Sequence, residues 1–252
     1  MKAWQDIGFE IEITGDGSPS LRLLASVDPL KDKGESMHHS GGAAAETNLI
    51  YGEPIAEILA KITKPKFLVV GLGLGYIEMV IARESLLAKR NAEDIASIAS
   101  YESVPELREF FISWLQNQEL HPEVKSTYDL VLEHVLKGSG VSAADVKSFL
   151  LVHFPEVRAV HGALYPEIAM EDQYHCILYD AFSSKTSPFL WEEDFLRRIL
   201  KEGSAESSVL ATYACKGSLK RALKDQGFEV IVREGFQGKR NSTQGRRQFP
   251  KM

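Results

Sequence analysis

Three groups in this 252-residue sequence have the types and spacing to do chemistry: Gly71-Leu72-Gly73-Leu74-Gly75, Glu102 and Asp180. Glycines let a backbone approach a ligand and adopt dihedrals closed to other residues, so a glycine run between a strand and a helix makes a corner for a nucleotide or nucleoside. The dinucleotide spacing Gly-x-Gly-x-x-Gly would need glycine at Tyr76, so the run favours a nucleoside-type ligand over NAD. Glu102 closes the next expected strand, where a carboxylate can accept both hydroxyls of a ribose. Its other reading is an acid stabilised by the dipole of a helix starting near Pro105; coupled to the glycine run, ribose binding is favoured. Asp180 follows the strand Cys176-Ile177-Leu178-Tyr179, and the carboxyl ends of strands in an open sheet border the ligand crevice. A turn or capping aspartate is the alternative there, and position favours function.

Other reactive types carry less. His38-His39, His161 and His175 lack ligand spacing and have no supporting Cys, Asp or Glu cluster, so no metal is expected. Cys176 and Cys215 cannot make a disulfide framework, and both read as small hydrophobes in apolar, strand-like surroundings.

The elements that must hold these groups alternate strand and helix, the pattern of parallel βαβ units. Residues 7–13 and 21–27 read as a hairpin about Gly15-Asp16-Gly17. Residues 43–62 have helical spacing, divided at Gly52 and Pro54. The first core strand follows Pro65 as Phe67-Leu68-Val69-Val70, and the glycine run opens a helix to about Lys89. Residues 95–101 form a second strand and residues 105–115 a helix with Leu107, Phe110, Phe111, Trp114 and Leu115 on one face. Residues 128–154 are helical, broken at Gly138 and Gly140. Strands recur at 157–161, 176–179, 208–213 and 228–232, with helices at 191–200 and 218–225.

An apolar content of 44% suffices for one core, so one structural unit is expected, with residues 1–62 packed on a core of residues 63–252. No stretch approaches a membrane span and the start lacks an export signal, so the expected location is the cytoplasm. A net charge of −6 argues against non-specific coating of nucleic acid, which needs many phosphate neutralisations. A local basic run, Lys239 to Arg247, reads either as a solvated tail or as a phosphate contact.

Several segments together resemble the methyltransferase domain of the MnmC family and its stand-alone MnmD-type relatives, which modify 5-methylaminomethyl-2-thiouridine in tRNA. They are Thr14 to Leu21; Gly34-Glu35-Ser36-Met37-His38-His39-Ser40 with Glu46 and Tyr51; the glycine run; Tyr101-Glu102; and Tyr179-Asp180-Ala181-Phe182-Ser183 with Pro188 and Leu190-Trp191. Ala211-Thr212-Tyr213, Gly217, Arg221, Gly227-Phe228 and Gly238-Lys239-Arg240 complete an ordered set over nearly the whole chain. The resemblance implies a Rossmann-like, doubly wound α/β fold of the S-adenosylmethionine-dependent methyltransferases with a small N-terminal β segment. It implies methyl transfer from S-adenosyl-L-methionine to the aminomethyl group of a wobble uridine. Gly71, Gly73, Gly75, Glu102 and Gly162 would hold the cofactor, Asp180 would orient the amine and take its proton, Phe182 and Tyr213 would flank the base, and Lys239 and Arg240 would meet phosphate. Partners implied are tRNA and a separate flavin-dependent or upstream tRNA-modifying enzyme, since the oxidative half fused in MnmC has no counterpart in this sequence.

Departures from the family pattern are Val69, where an acid often stands two positions before the first glycine, Gly162-Ala163 in place of Gly-Asp, Ser187 in place of Asn, and Asn241 in place of Glu. They leave two other readings: a methyltransferase for a small molecule or protein, and a non-catalytic S-adenosylmethionine-binding protein of the same fold.

Overall fold

A computed structural model describes residues 1–25, 34–238 and 241–248. Strands β1 (Phe9–Ile13) and β2 (Pro19–Leu23) form an antiparallel hairpin, with Phe9 opposite Leu23 and Ile13 opposite Pro19. Helix α1 (Ala43–Thr47), a π turn (Asn48–Gly52) and α2 (Glu53–Lys61) follow, then β3 (Lys66–Val70), α3 (Tyr76–Leu87) and β4 (Ser97–Tyr101). Three helices come next: α4 (Pro105–Leu115), α5 (Pro122–Leu136) and α6 (Ala143–His153). The chain continues through β5 (Val160–His161), β6 (Tyr174–Tyr179), α7 (Glu193–Gly203), β7 (Ser204–Thr212), α8 (Gly217–Asp225), β8 (Glu229–Arg233) and β9 (Ser242–Arg247).

The main sheet has seven strands in the order β5-β4-β3-β6-β7-β9-β8. The pairs from β5 to β7 are parallel, and β9 runs antiparallel between β7 and β8. Strand β3 is apolar at every position from Phe67 to Val70 because both its faces are covered. Phe67 and Val69 pack with α2 to α6, whereas Leu68 and Val70 pack with α7 and α8. Strand order reverses between β3 and β6, which opens a crevice at their carboxyl ends.

The hairpin is docked on this core. Trp4 donates through Nε1 to Thr127 Oγ1 at 3.1 Å and packs edge-on against Phe110, while Tyr76 donates its hydroxyl to the Pro19 carbonyl at 2.7 Å. Met37 N bonds the Leu21 carbonyl and Leu23 N the Glu35 carbonyl, both at 2.8 Å, so residues 35–37 run beside β2 toward the crevice.

The segment 43–62 changes winding at Gly52 and Pro54, as its sequence suggests: the π turn ends at Gly52, and Pro54 stands in the first turn of α2. Three readings of the sequence need correction. Val157–Ala159 is a 3-10 turn, leaving β5 two residues. Ser242–Arg247 is a strand and not a tail. Arg246 pairs with Glu57 at 2.9 Å, and Arg247 donates to the Ser204 and Ala205 carbonyls and stacks over Phe228, so neither is a free cation at a chain end. Cys215 is exposed beyond β7, unlike the buried Cys176.

Candidate active site

The crevice between β3 and β6 holds a cavity of about 320 Å³ that includes Gly71, Gly73, Glu102, Asp180, Phe182 and Tyr213 among its walls. Gly71 leaves β3 with φ +99°, and a Cβ there would lie 2.6 Å from the Asp180 carbonyl oxygen, so the two strand ends approach as only glycine allows. Gly75 takes the left-handed conformation at the N-terminus of α3, behind the wall itself. Gly162 directly precedes Ala163 and Leu164, which do line the cavity. Lys239 and Arg240 lie outside the described residues.

Glu102 is buried, and its two oxygens are used asymmetrically: Oε2 accepts from Gly73 N at 3.0 Å, while Oε1 accepts from Val104 N at 2.9 Å and, at the longer distance of 3.4 Å, from Ser103 Oγ. Burial pushes its pKa up, and the bonds from Val104 and Gly73 oppose that. A carboxylate has about four lone-pair sites, so about one remains on Oε2, and a second is freed on Oε1 when the rotatable Ser103 hydroxyl turns away, which together match a ribose diol. The same contact with Gly73 ties the acid to the glycine turn. The bond to Val104 N lies just ahead of α4, so the helix-start reading of Glu102 holds, and it leaves room for a ligand contact on the same side chain.

Asp180 follows β6 and is fixed by Tyr51, whose hydroxyl donates to Oδ1 at 2.6 Å. Burial raises its pKa to about 7; the Tyr51 bond pulls the other way, and the charge of Glu46 adds to the rise. The loop beyond it is held by Trp191 Nε1, which donates to the Phe182 carbonyl at 2.7 Å, and by the Tyr213 hydroxyl, which donates to the Ala181 carbonyl at 2.9 Å. Phe182 and Tyr213 are thereby presented at the cavity edge.

Residues 35–39 form a further wall of the cavity, a roof over the glycine turn. Glu35 accepts from Ser183 N at 3.2 Å and Ser183 Oγ at 3.0 Å, and also from Thr186 Oγ1, which joins the roof to the loop after β6. Met37 Sδ sits 3.3 Å from where a Cβ of Gly73 would be. His38 packs on Tyr76 with ring centroids 4.9 Å apart, shares a 3.0 Å hydrogen bond with Ser20 Oγ, and is pulled by burial to a pKa of about 4, so it is neutral. Periodicity gave no sign of the roof or of Glu46 and Tyr51 as wall residues; their only signal was membership of the resembling segments.

Behind Val69 lies a buried acid that does not line the cavity. Val69 pairs in register with Ser100, whose hydroxyl donates to Glu78 Oε1 at 2.6 Å. Burial raises Glu78 to about 8, so a neutral carboxyl lies within α3 beneath the glycine turn. Among the described residues lining the cavity there are four carboxylates, Glu35, Glu46, Glu102 and Asp180, and no lysine or arginine. Among the described residues no group of three or more His, Cys, Asp or Glu could hold a metal ion, and no helix is long and apolar enough to cross a membrane.

An open sheet with this strand order, a glycine turn and a cavity-lining carboxylate at the end of β4 defines a nucleoside-cofactor enzyme of the methyltransferase type. Residues 118–248, about half of the chain, match the model of an S-adenosyl-L-methionine-dependent methyltransferase family, and the chain belongs to that family. Its fold is similar to that of MnmC2 from Aquifex aeolicus, with TM-score 0.65 and 23% identity over 96% of this chain and 72% of that one. Spermidine synthase from Thermotoga maritima shares the fold at TM-score 0.52 and 13% identity, covering 94% and 68%. An uncharacterized protein of Methanocaldococcus jannaschii is 24% identical over 91% of this chain and 57% of its own length. The tRNA 5-methylaminomethyl-2-thiouridine biosynthesis bifunctional protein MnmC of Campylobacter hominis is 23% identical over 77% of this chain and 27% of its own. The chain thus spans little more than half of the first relative and about a quarter of the second.

The cavity fits S-adenosyl-L-methionine. Glu102 has acceptor capacity to spare for the ribose, the glycine turn leaves its backbone open beneath Met37, and the carboxylate walls suit a cationic ligand. When bound, this cofactor supplies an electrophilic methyl group on a sulfonium.

Proposed function

We propose that this chain methylates the amino group of 5-aminomethyl-(2-thio)uridine at the wobble position of tRNA, with residues 1–62 and 63–252 acting as one structural unit. The observation that carries the reading is the cavity wall: four carboxylates and no lysine or arginine among its described residues suit an acceptor that arrives as an ammonium ion. Gly71, Gly73, Gly75 and Gly162 form or flank the cofactor corner, and Glu102 takes the ribose. Asp180, with a pKa of about 7, is poised to take a proton from the ammonium near neutral pH and leave the nitrogen lone pair free for in-line attack. Phe182 and Tyr213, at the cavity edge, supply faces on which an unstacked base can lie. Lys239 and Arg240 are assigned to phosphate. Similarity to MnmC proteins supports tRNA as the partner, and an upstream enzyme would have to furnish the aminomethyl group.

A small amine is the second reading, favoured by the same carboxylates and by the net charge of −6, which gives RNA no general attraction. Incubation with methyl-labelled cofactor separates the two. Label should enter tRNA bearing the aminomethyl group and not tRNA lacking it. Label entering only free amines, or nothing at all despite cofactor binding, would overturn the tRNA assignment.

A further inference from the structure

Glu46 and Tyr51 stand five residues apart on one helical segment and yet line the same cavity. In an uninterrupted α-helix such residues point about 140° apart. Here the π turn Asn48–Gly52 lies between α1 and α2, and its wider i to i+5 winding draws positions five apart toward one face. A π turn inside a helix is rare and is frequent at functional sites. Its result is that Tyr51 reaches Asp180 with a 2.6 Å hydrogen bond while Glu46, one turn earlier, faces the same space. Glu46 is itself held by the His39 N–H, which donates to Oε2 at 2.7 Å and fixes the carboxylate to the roof.

We propose that the π turn builds an acceptor-amine subsite in which Tyr51 is the positioning residue for Asp180 and Glu46 is a second carboxylate that selects an amine. The proposal rests on the amine-methylation reading above and assigns its specificity. Tyr51 spends one lone pair of Asp180 Oδ1 and so aims the remaining acceptor sites at the cavity. Glu46 supplies charge to draw in the ammonium, a discrimination a neutral hydroxyl acceptor would not receive. In the reaction the ammonium gives one proton to Asp180; the freed lone pair bonds the methyl carbon as the carbon–sulfur bond breaks with its electrons to sulfur. The products are a methylated ammonium, a neutral thioether and one proton, which leaves from Asp180 to solvent.

The titratable groups around Asp180 come from several elements. They are Glu46 and Tyr51 of the helical segment, Glu78 of α3, Tyr213 beyond β7, and Glu35, His38 and His39 of the roof. Tyr51 and Glu46 act on Asp180 in opposite directions, the hydroxyl favouring its ionised form and the neighbouring charge its neutral form.

The test uses the whole protein, with the Asp180 carboxyl titrated by carbon-13 NMR in the absence of cofactor and acceptor. Tyr51→Phe should move that titration to higher pH and Glu46→Gln to lower pH. In parallel, equilibrium binding of tRNA bearing the aminomethyl group should weaken about tenfold in Glu46→Gln, while unchanged far-ultraviolet circular dichroism in both variants reports intact folding. Tyr51→Phe should lower kcat about tenfold with little change in KM. Shifts that are absent or of the same sign overturn the pairing, whichever acceptor the enzyme uses. Opposite shifts with unaltered binding of the aminomethyl RNA overturn the selectivity assigned to Glu46. Failure of the wild-type protein to bind or methylate that RNA contradicts the tRNA reading instead, and the titrations still decide the pairing.

Discussion

Replacing Glu102 by Gln changes one oxygen of a buried carboxylate to an NH2 group and removes its charge. In the native site Oε2 is engaged by Gly73 N, and Oε1 by Val104 N and by the long contact from Ser103 Oγ, which leaves for the two ribose hydroxyls about one lone pair on Oε2 and, once the Ser103 hydroxyl rotates off, a second on Oε1. The amide keeps a single acceptor oxygen, and its NH2 must face either a backbone N–H or a hydroxyl that has lost its acceptor. One charge-assisted hydrogen bond to the cofactor is lost, worth about 1.5–3 kcal/mol, which corresponds to roughly 10- to 100-fold weaker binding. Isothermal titration with S-adenosylhomocysteine reads this directly. A local distortion of the glycine turn would also weaken binding, so the same titration is run with an analogue lacking both ribose hydroxyls. That analogue should bind the wild-type protein weakly and lose little more in Glu102→Gln. An equal penalty with both ligands, or no penalty with either, refutes ribose recognition by Glu102.

Further expectations follow from Asp180 and Gly71. With Asp180 as the proposed base, kcat should rise with pH through about 7 and level off above it; a flat profile over pH 5–9 in a single-turnover assay would remove the base. The folded pKa of Asp180 lies above its ordinary 3.8, so the stability contributed by its proton is fully present below that value and is lost as pH rises through about 7. Asp180→Asn, which still accepts from Tyr51, should therefore gain on the order of 2–4 kcal/mol relative to wild type between pH 4 and pH 8 in urea unfolding. A difference independent of pH would contradict this, and the nearby Glu78 cancels because both proteins carry it. Gly71→Ala meets both a positive φ and the Asp180 carbonyl, so it should cost about 1–3 kcal/mol of stability and weaken cofactor binding. Unchanged unfolding would show that the turn has room.

The parts of the fold that sequence reasoning reached are those with strong local pattern. The apolar face of residues 105–115 and the proline at their start set the bounds of α4, and Phe67 to Val70 announced β3 because burial on both faces leaves no polar alternation. Glu102 and Asp180 were legible because strand ends in an open sheet have a known destination. Strand β9 was not, since Ser242-Thr243-Gln244-Gly245-Arg246-Arg247 contains no apolar residue. Its Thr243 and Gln244 are buried through ladder pairing with β7 and β8, and Gly245 lies against Leu223 and Phe228, a close approach that sequence spacing does not express. The π turn showed in the sequence only as a break at Gly52 and Pro54, with nothing to mark its wider winding. Only the distance from Tyr51 to Asp180, 129 positions along the chain, gives it meaning.

The central claim is methyl transfer to an amine on a tRNA wobble uridine, and mass spectrometry of the digested RNA tests it most directly. After incubation of the full chain with S-adenosyl-L-methionine and tRNA carrying 5-aminomethyluridine or its 2-thio form, that nucleoside should gain one methyl group on its amino nitrogen, and Asp180→Asn should abolish the gain. A protein that binds the cofactor yet leaves the nucleoside unmethylated, or that places the methyl group elsewhere in the RNA, would contradict the account.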